Sequence, residues 1–285
     1  MRPLTFLSDY GTDDEFVGVV HAVVAKLAPE ARIIDLSHGI PRHGVLQGAL
    51  TLARTLPYAP AGVHLAVVDP EVGARRRAVA LRTAHEDRLL VGPDNGLLLP
   101  AAERFGGIAE VVEISASPWR LEPVSATFHG RDLFAPVAAR LARGEPLAEA
   151  GTPLEPVELV PLDLPAPRRS GGELRATVVG VDTFGNVALL ADHGDLARAG
   201  FRIGHPVAVT AGDARLDAVY ARTFADVDPG VAIVYEDAAQ LIAVAINTGD
   251  AAAALRVRPG QTVALAPRPA GLTAAGAGAA RERGA

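Results

Sequence analysis

The chain has 285 residues, 49% of them hydrophobic, which is enough to bury a large core and to form two domains. A net charge of −6, with no basic run interleaved with aromatics, argues against a nucleic-acid surface, and the absence of Cys excludes disulfides, thiolate metal sites and cysteine nucleophiles. No stretch approaches the roughly 20 apolar residues of a membrane helix, and the opening apolar run is too short for a signal peptide, so the expectation is a cytoplasmic protein without membrane or nucleic-acid partners.

Residues 3–8 read as a buried strand. Residues 13–27 then place Phe16, Val20, Val23, Val24 and Leu27 at helical spacing, with Thr12 or Asp13 as N-cap. A strand at 32–36, a helix at 43–56 closed by Pro57, and a strand at 63–68 follow. Apolar runs at 78–81, 89–91 and 109–114 continue the pattern, and residues 131–142 form a helix with Phe134, Val137, Ala138 and Leu141 on one face. Strands alternating with helices predict a layered α/β domain over 1–160 with a largely parallel sheet.

The texture then changes. Prolines and the pair Gly171-Gly172 make residues 161–172 a predicted linker. Within 173–268 the signal is short strands between turns, at 176–179, 187–190, 207–210, 231–235 and 241–246, which predicts a small β-barrel or sandwich. The Ala/Gly-rich stretch 269–285 reads as a disordered tail.

Chemistry-bearing residues cluster at strand ends and in loops, where α/β domains bind their substrates. Asp9, in Ser8-Asp9-Tyr10-Gly11, closes the first strand; its carboxylate suits either a ribose diol or capping of the next helix. Asp69 ends the third strand, and the turn Pro70-Glu71-Val72-Gly73 brings Arg76 back toward it, as a structural ion pair or as part of a site. His129, in Phe128-His129-Gly130-Arg131-Asp132, has the side chain that titrates nearest neutrality, beside a glycine that permits close approach. A base, a fixed cation and a carboxylate without a Ser or Cys nucleophile point to activation of water rather than covalent catalysis. Pro93-Asp94-Asn95-Gly96 is first of all a turn, and Asp35-Leu36-Ser37-His38 serves equally as a loop or as a site wall. In Asp182-Thr183-Phe184-Gly185-Asn186 a carboxylate, an aromatic ring and an amide suit an ammonium group, a flat ring and a base edge, although the same pattern is an ordinary hairpin turn.

Taken in order, these six segments resemble the S-adenosyl-L-methionine (SAM) hydroxide adenosyltransferases, the adenosine-forming SAM hydrolases related to fluorinating and chlorinating enzymes. The resemblance spans about residues 3–265. It implies an N-terminal α/β domain, a C-terminal small β-barrel and a homotrimer with sites between subunits, acting on SAM as substrate with no cofactor and no metal. It places Asp69, Arg76 and His129 in the catalytic triad that handles the attacking water and Asp9 on the ribose. Asp182 then faces the methionine ammonium, with Phe184, Asn186 and Phe224 beside the adenine. Halogenating relatives carry Tyr at the position of His129, and fluorinating ones also Ser at that of Gly130, so the His-Gly pair implies hydrolysis over halide transfer. Glu71 stands where the family usually has Gly, and Asp237-Ala238 replaces its Asn-Ser pair. Two other readings use some of the same residues. One is a metal-dependent hydrolase built on Asp9, His38, Asp69, Asp94 and His129, although no compact ligand spacing such as His-x-x-x-His supports it. The other is a SAM-binding regulatory module, which leaves Asp69, Arg76 and His129 without a task.

Overall fold

The structure, a computed structural model, describes residues 1–268. The expected tail at 269–285 lies outside the described residues. The chain divides into two compact units between Leu164 and Pro165.

The first unit is a seven-stranded sheet with helices on both faces. In chain order its elements are β1 (Leu4–Ser8), α1 (Phe16–Leu27), β2 (Ile33–Ser37), α2 (Val45–Thr55), β3 (Val63–Val67), β4 (Ala78–Thr83), β5 (Leu89–Pro93), α3 (Leu99–Arg104), β6 (Ile108–Glu113), α4 (Ala135–Arg143) and β7 (Thr152–Pro153). The strands lie in the order β2-β1-β3-β5-β4-β6-β7. The first four are parallel, and β4, β6 and β7 extend them antiparallel. The parallel character therefore belongs to the half of the sheet that carries Asp9 and Asp69.

Strand periodicity explains the two cores. Leu4, Phe6, Leu65, Val67, Ala80 and Val91 point to one face and pack on α1 and α4. Leu7, Ala66, Val68, Val79, Leu81 and Leu90 point to the other and pack on α2 and α3. Because both faces are covered, β1, β3 and β5 are buried along their whole length, which is why they read as mostly apolar runs, with buried Thr5 and His64 bonded to each other.

The strand order also fixes where a site can form. From β1 the chain crosses to β2 on one side and then returns to β3 on the other. A switch point therefore lies at the carboxyl ends of β1 and β3, the crevice in which open α/β sheets bind ligands. Ser8 pairs with Val67 there, so Asp9 and Asp69 leave the sheet at the same edge.

The second unit contains β8 (Arg168–Ser170), β9 (Glu173–Val181), β10 (Val187–Leu189), α5 (His193–Arg198), β11 (Pro206–Ala211), β12 (Ala214–Tyr220), β13 (Ala232–Glu236), β14 (Ile242–Ile246), α6 (Ala251–Leu255) and β15 (Thr262–Pro267). Pairing of β9 with β10 closes the order β10-β14-β13-β12-β11-β15-β9 into a barrel of seven strands, with β8 added to β9. Closure decides for the barrel over the sandwich. Its interior holds Leu174, Val178, Val187, Val209, Val234, Val244 and Leu265. β8 falls inside the stretch 161–172 expected as linker: Gly171 and Gly172, both at positive φ, turn the chain back so that β8 pairs with β9.

Leu65 is fully buried at the middle of β3, the strand that delivers Asp69. Leu65→Ala is expected to cost about 2–5 kcal/mol by urea denaturation; a loss below about 1 kcal/mol would contradict this account of the core.

Candidate active site

Asp69 emerges from β3 into a turn in which the Val72 and Ala74 amides donate to the carbonyls of Asp69 and Glu71. Gly73 completes that turn at a φ of 78°, and a Cβ there would overlap the Ala126 carbonyl oxygen. The Asp69 turn therefore packs against the segment leading to His129, and only glycine permits both the conformation and the contact. Glu71 is exposed and is not among the residues at positive φ, so its side chain is accommodated without strain.

The turn returns Arg76 onto Asp69. Arg76 Nε donates to Asp69 Oδ1 at 2.9 Å and Oδ2 at 3.0 Å, and Nη2 donates to Oδ2 as well. Both side chains are almost fully buried, 4% and 5% exposed, and the guanidinium lies 5.2 Å over the Phe134 ring. The same Nη2 reaches His129 Nδ1 at 2.8 Å. Since arginine offers only donors, Nδ1 accepts and the imidazole proton sits on Nε2. The imidazole is biased toward its neutral form: burial lowers its pKa first, and the charge of Arg76 second. Arg76 Nη1 makes no hydrogen bond among the described residues and is not sealed from solvent, so two N–H groups of a fixed cation remain for a ligand oxygen.

His129 precedes a π-helical turn, Gly130–Phe134, that runs directly into α4; such turns recur at functional sites. Asp132 anchors it, accepting the Ser125 N–H at 2.8 Å and pairing with Arg131. Gly130 has a close neighbour, Tyr10: a Cβ on Gly130 would overlap the Tyr10 hydroxyl. Tyr10 stacks edgewise on Phe128 and packs near Phe16, and burial pushes its phenol pKa upward. The close approach expected at Gly130 is thus made within the first unit. Asp9, one residue earlier, accepts the His43 N–H at 3.1 Å through Oδ2, and burial raises its pKa, with the nearby Asp69 charge adding to the effect.

Four of the sequence-predicted residues meet in the second unit. Asp182, Phe184, Asn186 and Phe224 line one open cleft of about 790 Å³, together with Ile246 and Asp250. Asp182 Oδ1 accepts the backbone N–H of Phe184 and of Asn186, both at 2.9 Å, and Oδ2 accepts Asn186 Nδ2 at 2.8 Å. Its carboxylate builds the turn, and a further lone pair on Oδ2 is left for a ligand. Phe184 stands 76% exposed, an aromatic face without a ring or cation partner among the described residues. Phe224 packs against Tyr235 with ring centroids 5.2 Å apart, and Asn247 holds its turn by donating to the Phe224 and Val227 carbonyls.

Other candidates are absorbed by structure. Asp94 is buried and taken by Arg77 and the Val160 N–H, and Asn95 donates to the Val68 carbonyl. Asp237 accepts the Ala239 and Leu241 amides, closing the turn between β13 and β14. The five residues of the metal-hydrolase reading are not gathered; among the described residues the one group of three ligand-type side chains is His21, Asp35 and His38. Tyr10, inside the Ser8–Gly11 motif, Phe134, read as a helix-face residue, and Ile246, the end of a predicted strand, were given no site role by the sequence, and Asp250 shows only as an N-cap before an alanine run.

A two-unit protein with an Asp–Arg–His cluster at the switch point of an α/β sheet, followed by a closed β-barrel, is a narrow class. Residues 4–151 match the SAM hydroxide adenosyltransferase N-terminal domain, and residues 176–264 its C-terminal domain. The chain belongs to the SAM hydroxide adenosyltransferase family. It is 49% identical over 260 residues to an (R)-S-adenosyl-L-methionine hydrolase of Salinispora arenicola, covering 90% of this chain and 95% of that protein. A protein of the same name from Thermus thermophilus is 40% identical, with 93% and 100% covered, and a fluorinase of an Actinoplanes species is 29% identical, with 92% and 96% covered. A crystal structure of an uncharacterized conserved protein from Thermotoga maritima superposes with a TM-score of 0.83 at 35% identity, covering 92% of this chain and 99% of that one.

The Gly130–Tyr10 contact gives a stability prediction. Gly130→Ala is expected to cost about 1–3 kcal/mol, the usual penalty for overpacking. In a Tyr10→Phe background, where the overlapping oxygen is gone, the penalty should shrink by at least half in a double-mutant cycle. Equal penalties in both backgrounds would mean that Tyr10 does not set the limit at this position.

Proposed function

We propose that this protein hydrolyses SAM to adenosine and L-methionine, by in-line attack of an activated water at ribose C5′. The observation that carries the reading is the buried Asp69–Arg76–His129 cluster with donors to spare. The relatives named as hydrolases, at 49% and 40% identity, support it, and their names specify the (R) epimer at sulfur.

As the C5′–O bond forms, the C5′–S bond breaks and its electron pair stays on sulfur. The sulfonium becomes a neutral thioether, so no general acid is needed. What the protein must supply is a positioned oxygen nucleophile that loses a proton. Arg76 Nη1 offers a cationic donor that lowers the pKa of a bound water, whose proton passes to bulk solvent before attack, and holds the resulting hydroxide. Asp69 fixes that cation in place. The tautomer set by Arg76 gives His129 an Nε2–H, which donates to the nucleophile and orients it, while the imidazole remains neutral. Protonating His129 would set two cations side by side and break the Arg76–Nδ1 bond. The Arg76–Nδ1 bond supports an orienting role for His129 in place of the role of proton acceptor. Correct alignment of the reactants alone contributes roughly 7–11 kcal/mol in well-oriented systems.

On the binding side, Asp9 takes the ribose diol and Asp182 the methionine ammonium. Phe184, Asn186 and Phe224 take the adenine: an exposed ring for stacking, an amide for the base edge, and a second aromatic wall. SAM is the substrate, and no cofactor or catalytic metal is needed for these steps. The reading places the protein in the cytoplasm, without nucleic-acid or membrane partners; among the described residues no helix is long and apolar enough to cross a membrane. A chlorinase-like halide transfer is disfavoured because His129 occupies the position held by Tyr in halogenating relatives. The reading includes a homotrimer with sites shared between subunits, supported by the family resemblance and by the division of the proposed residues between the two units.

Incubating the protein with (R)-SAM in oxygen-18 water tests the reaction. Label at the 5′ oxygen of adenosine is expected, in a reaction unaffected by EDTA; unlabelled adenosine, or none, would refute it. Mixing inactive Arg76→Ala and Asp182→Ala variants tests the assembly. Partial recovery of activity is expected, whereas a monomer by light scattering, or no rescue after confirmed subunit exchange, would contradict shared sites.

A further inference from the structure

At the edge of the sheet, apart from the Asp69–Arg76–His129 cluster, three ligand-type side chains converge. His21 comes from α1, Asp35 from β2 and His38 from the turn that follows it; their ligating atoms all lie within 4.8 Å of one another. Nε2 of His21 is 2.9 Å, and Nε2 of His38 3.1 Å, from the same oxygen, Asp35 Oδ1. His38 is 8% exposed, yet its Nε2 has no hydrogen-bond partner, the one such buried side-chain atom among the described residues. Asp35 is close to it but not at a hydrogen-bonding angle. Buried polar atoms in folded proteins are rarely left in this state.

The opposite edge of the same ring is satisfied: His38 Nδ1 lies 2.8 Å from Ser8 Oγ. When Nδ1 donates to Ser8, Nε2 carries a lone pair and lies 3.1 Å from the negative Asp35 oxygen, a proximity that a cation bound by both turns from repulsive to favourable. Orientation of a ligating imidazole through its second nitrogen is the usual outer-shell arrangement of metal sites. The Phe6 ring packs against both imidazoles, with centroids 4.6 Å from His38 and 6.2 Å from His21, and limits their rotation. Ligands about 2.0–2.2 Å from a tetrahedral zinc stand about 3.3–3.5 Å apart, so the two imidazole–carboxylate spacings need to open by only a few tenths of an ångström.

We propose that His21, Asp35 and His38 form a binding site for a divalent transition-metal ion of the zinc type, with water completing the coordination. Two imidazoles and one carboxylate suit such ions, and not Mg²⁺ or Ca²⁺, which take oxygen ligands. The site is structural: it ties α1 to the end of β2. The His38 carbonyl accepts the Gly11 N–H at 2.8 Å, so the same point also anchors the loop that carries Asp9. The proposed hydrolysis routes no step through it.

The test uses the full-length chain without a histidine tag, stripped with chelator and titrated with ZnSO₄ or CoCl₂. One metal ion per chain is expected, with a tetrahedral Co²⁺ absorption band and a zinc-dependent rise in melting temperature that MgCl₂ does not produce. His21 is partly exposed, so His21→Ala should fold, and with Asp35→Asn it should weaken zinc binding at least tenfold. Absence of stoichiometric binding in the wild-type chain, or binding unchanged in both variants, would overturn the proposal.

Discussion

The candidate catalytic centre depends on a buried guanidinium. Arg76 sits inside the first unit, where an unpaired cation would be costly, and Asp69 neutralises it through Nε and Nη2. Removing one partner of such a pair typically costs about 3–5 kcal/mol, because the other charge is left buried and alone. The pairing consumes one side of the fork, directs one remaining N–H at His129, and leaves Nη1 free. That fixed direction makes the cation chemically useful: donors that are already oriented need no reorganisation when charge develops on a nucleophile.

The surrounding structure serves that placement. The switch in strand order brings Asp9 and Asp69 to one edge. Gly73 lets the Asp69 turn touch the backbone at Ala126, and Gly130 lets the His129 turn touch Tyr10. Gly73 thus sets the spacing between the loop that carries Arg76 and the segment leading to His129, and Gly130 sets that between the His129 turn and the loop that carries Asp9. The barrel contributes differently: its proposed binding groups line a cleft shaped by Asp182, whose carboxylate orders the turn that presents Phe184 and Asn186.

Much of this was legible in the sequence. β1, β3 and β5 announce themselves because burial on both faces makes them mostly apolar runs, and the Asp69–Arg76–His129 set follows from motif order. Other parts were hidden for physical reasons. β12 carries Arg215 and Asp217 on its solvent side, and those charges masked a barrel strand. The short helices α3, α5 and α6 have too few turns for a 3.6-residue period to show. The antiparallel half of the sheet and the pairing of β8 with β9 depend on tertiary contacts that local pattern does not encode. The tautomer of His129 could not be read at all, since it is set by an arginine 53 positions away.

The central claim is that Arg76, held by Asp69, keeps His129 neutral with its proton on Nε2. NMR titration of ¹⁵N-labelled imidazoles, assigned by loss of the His129 signals in His129→Ala, measures this directly. The account predicts that His129 titrates below the ordinary histidine value of about 6.5 and that Arg76→Ala moves the titration upward. A His129 pKa at or above that ordinary value, or one unchanged by loss of Arg76, would contradict it.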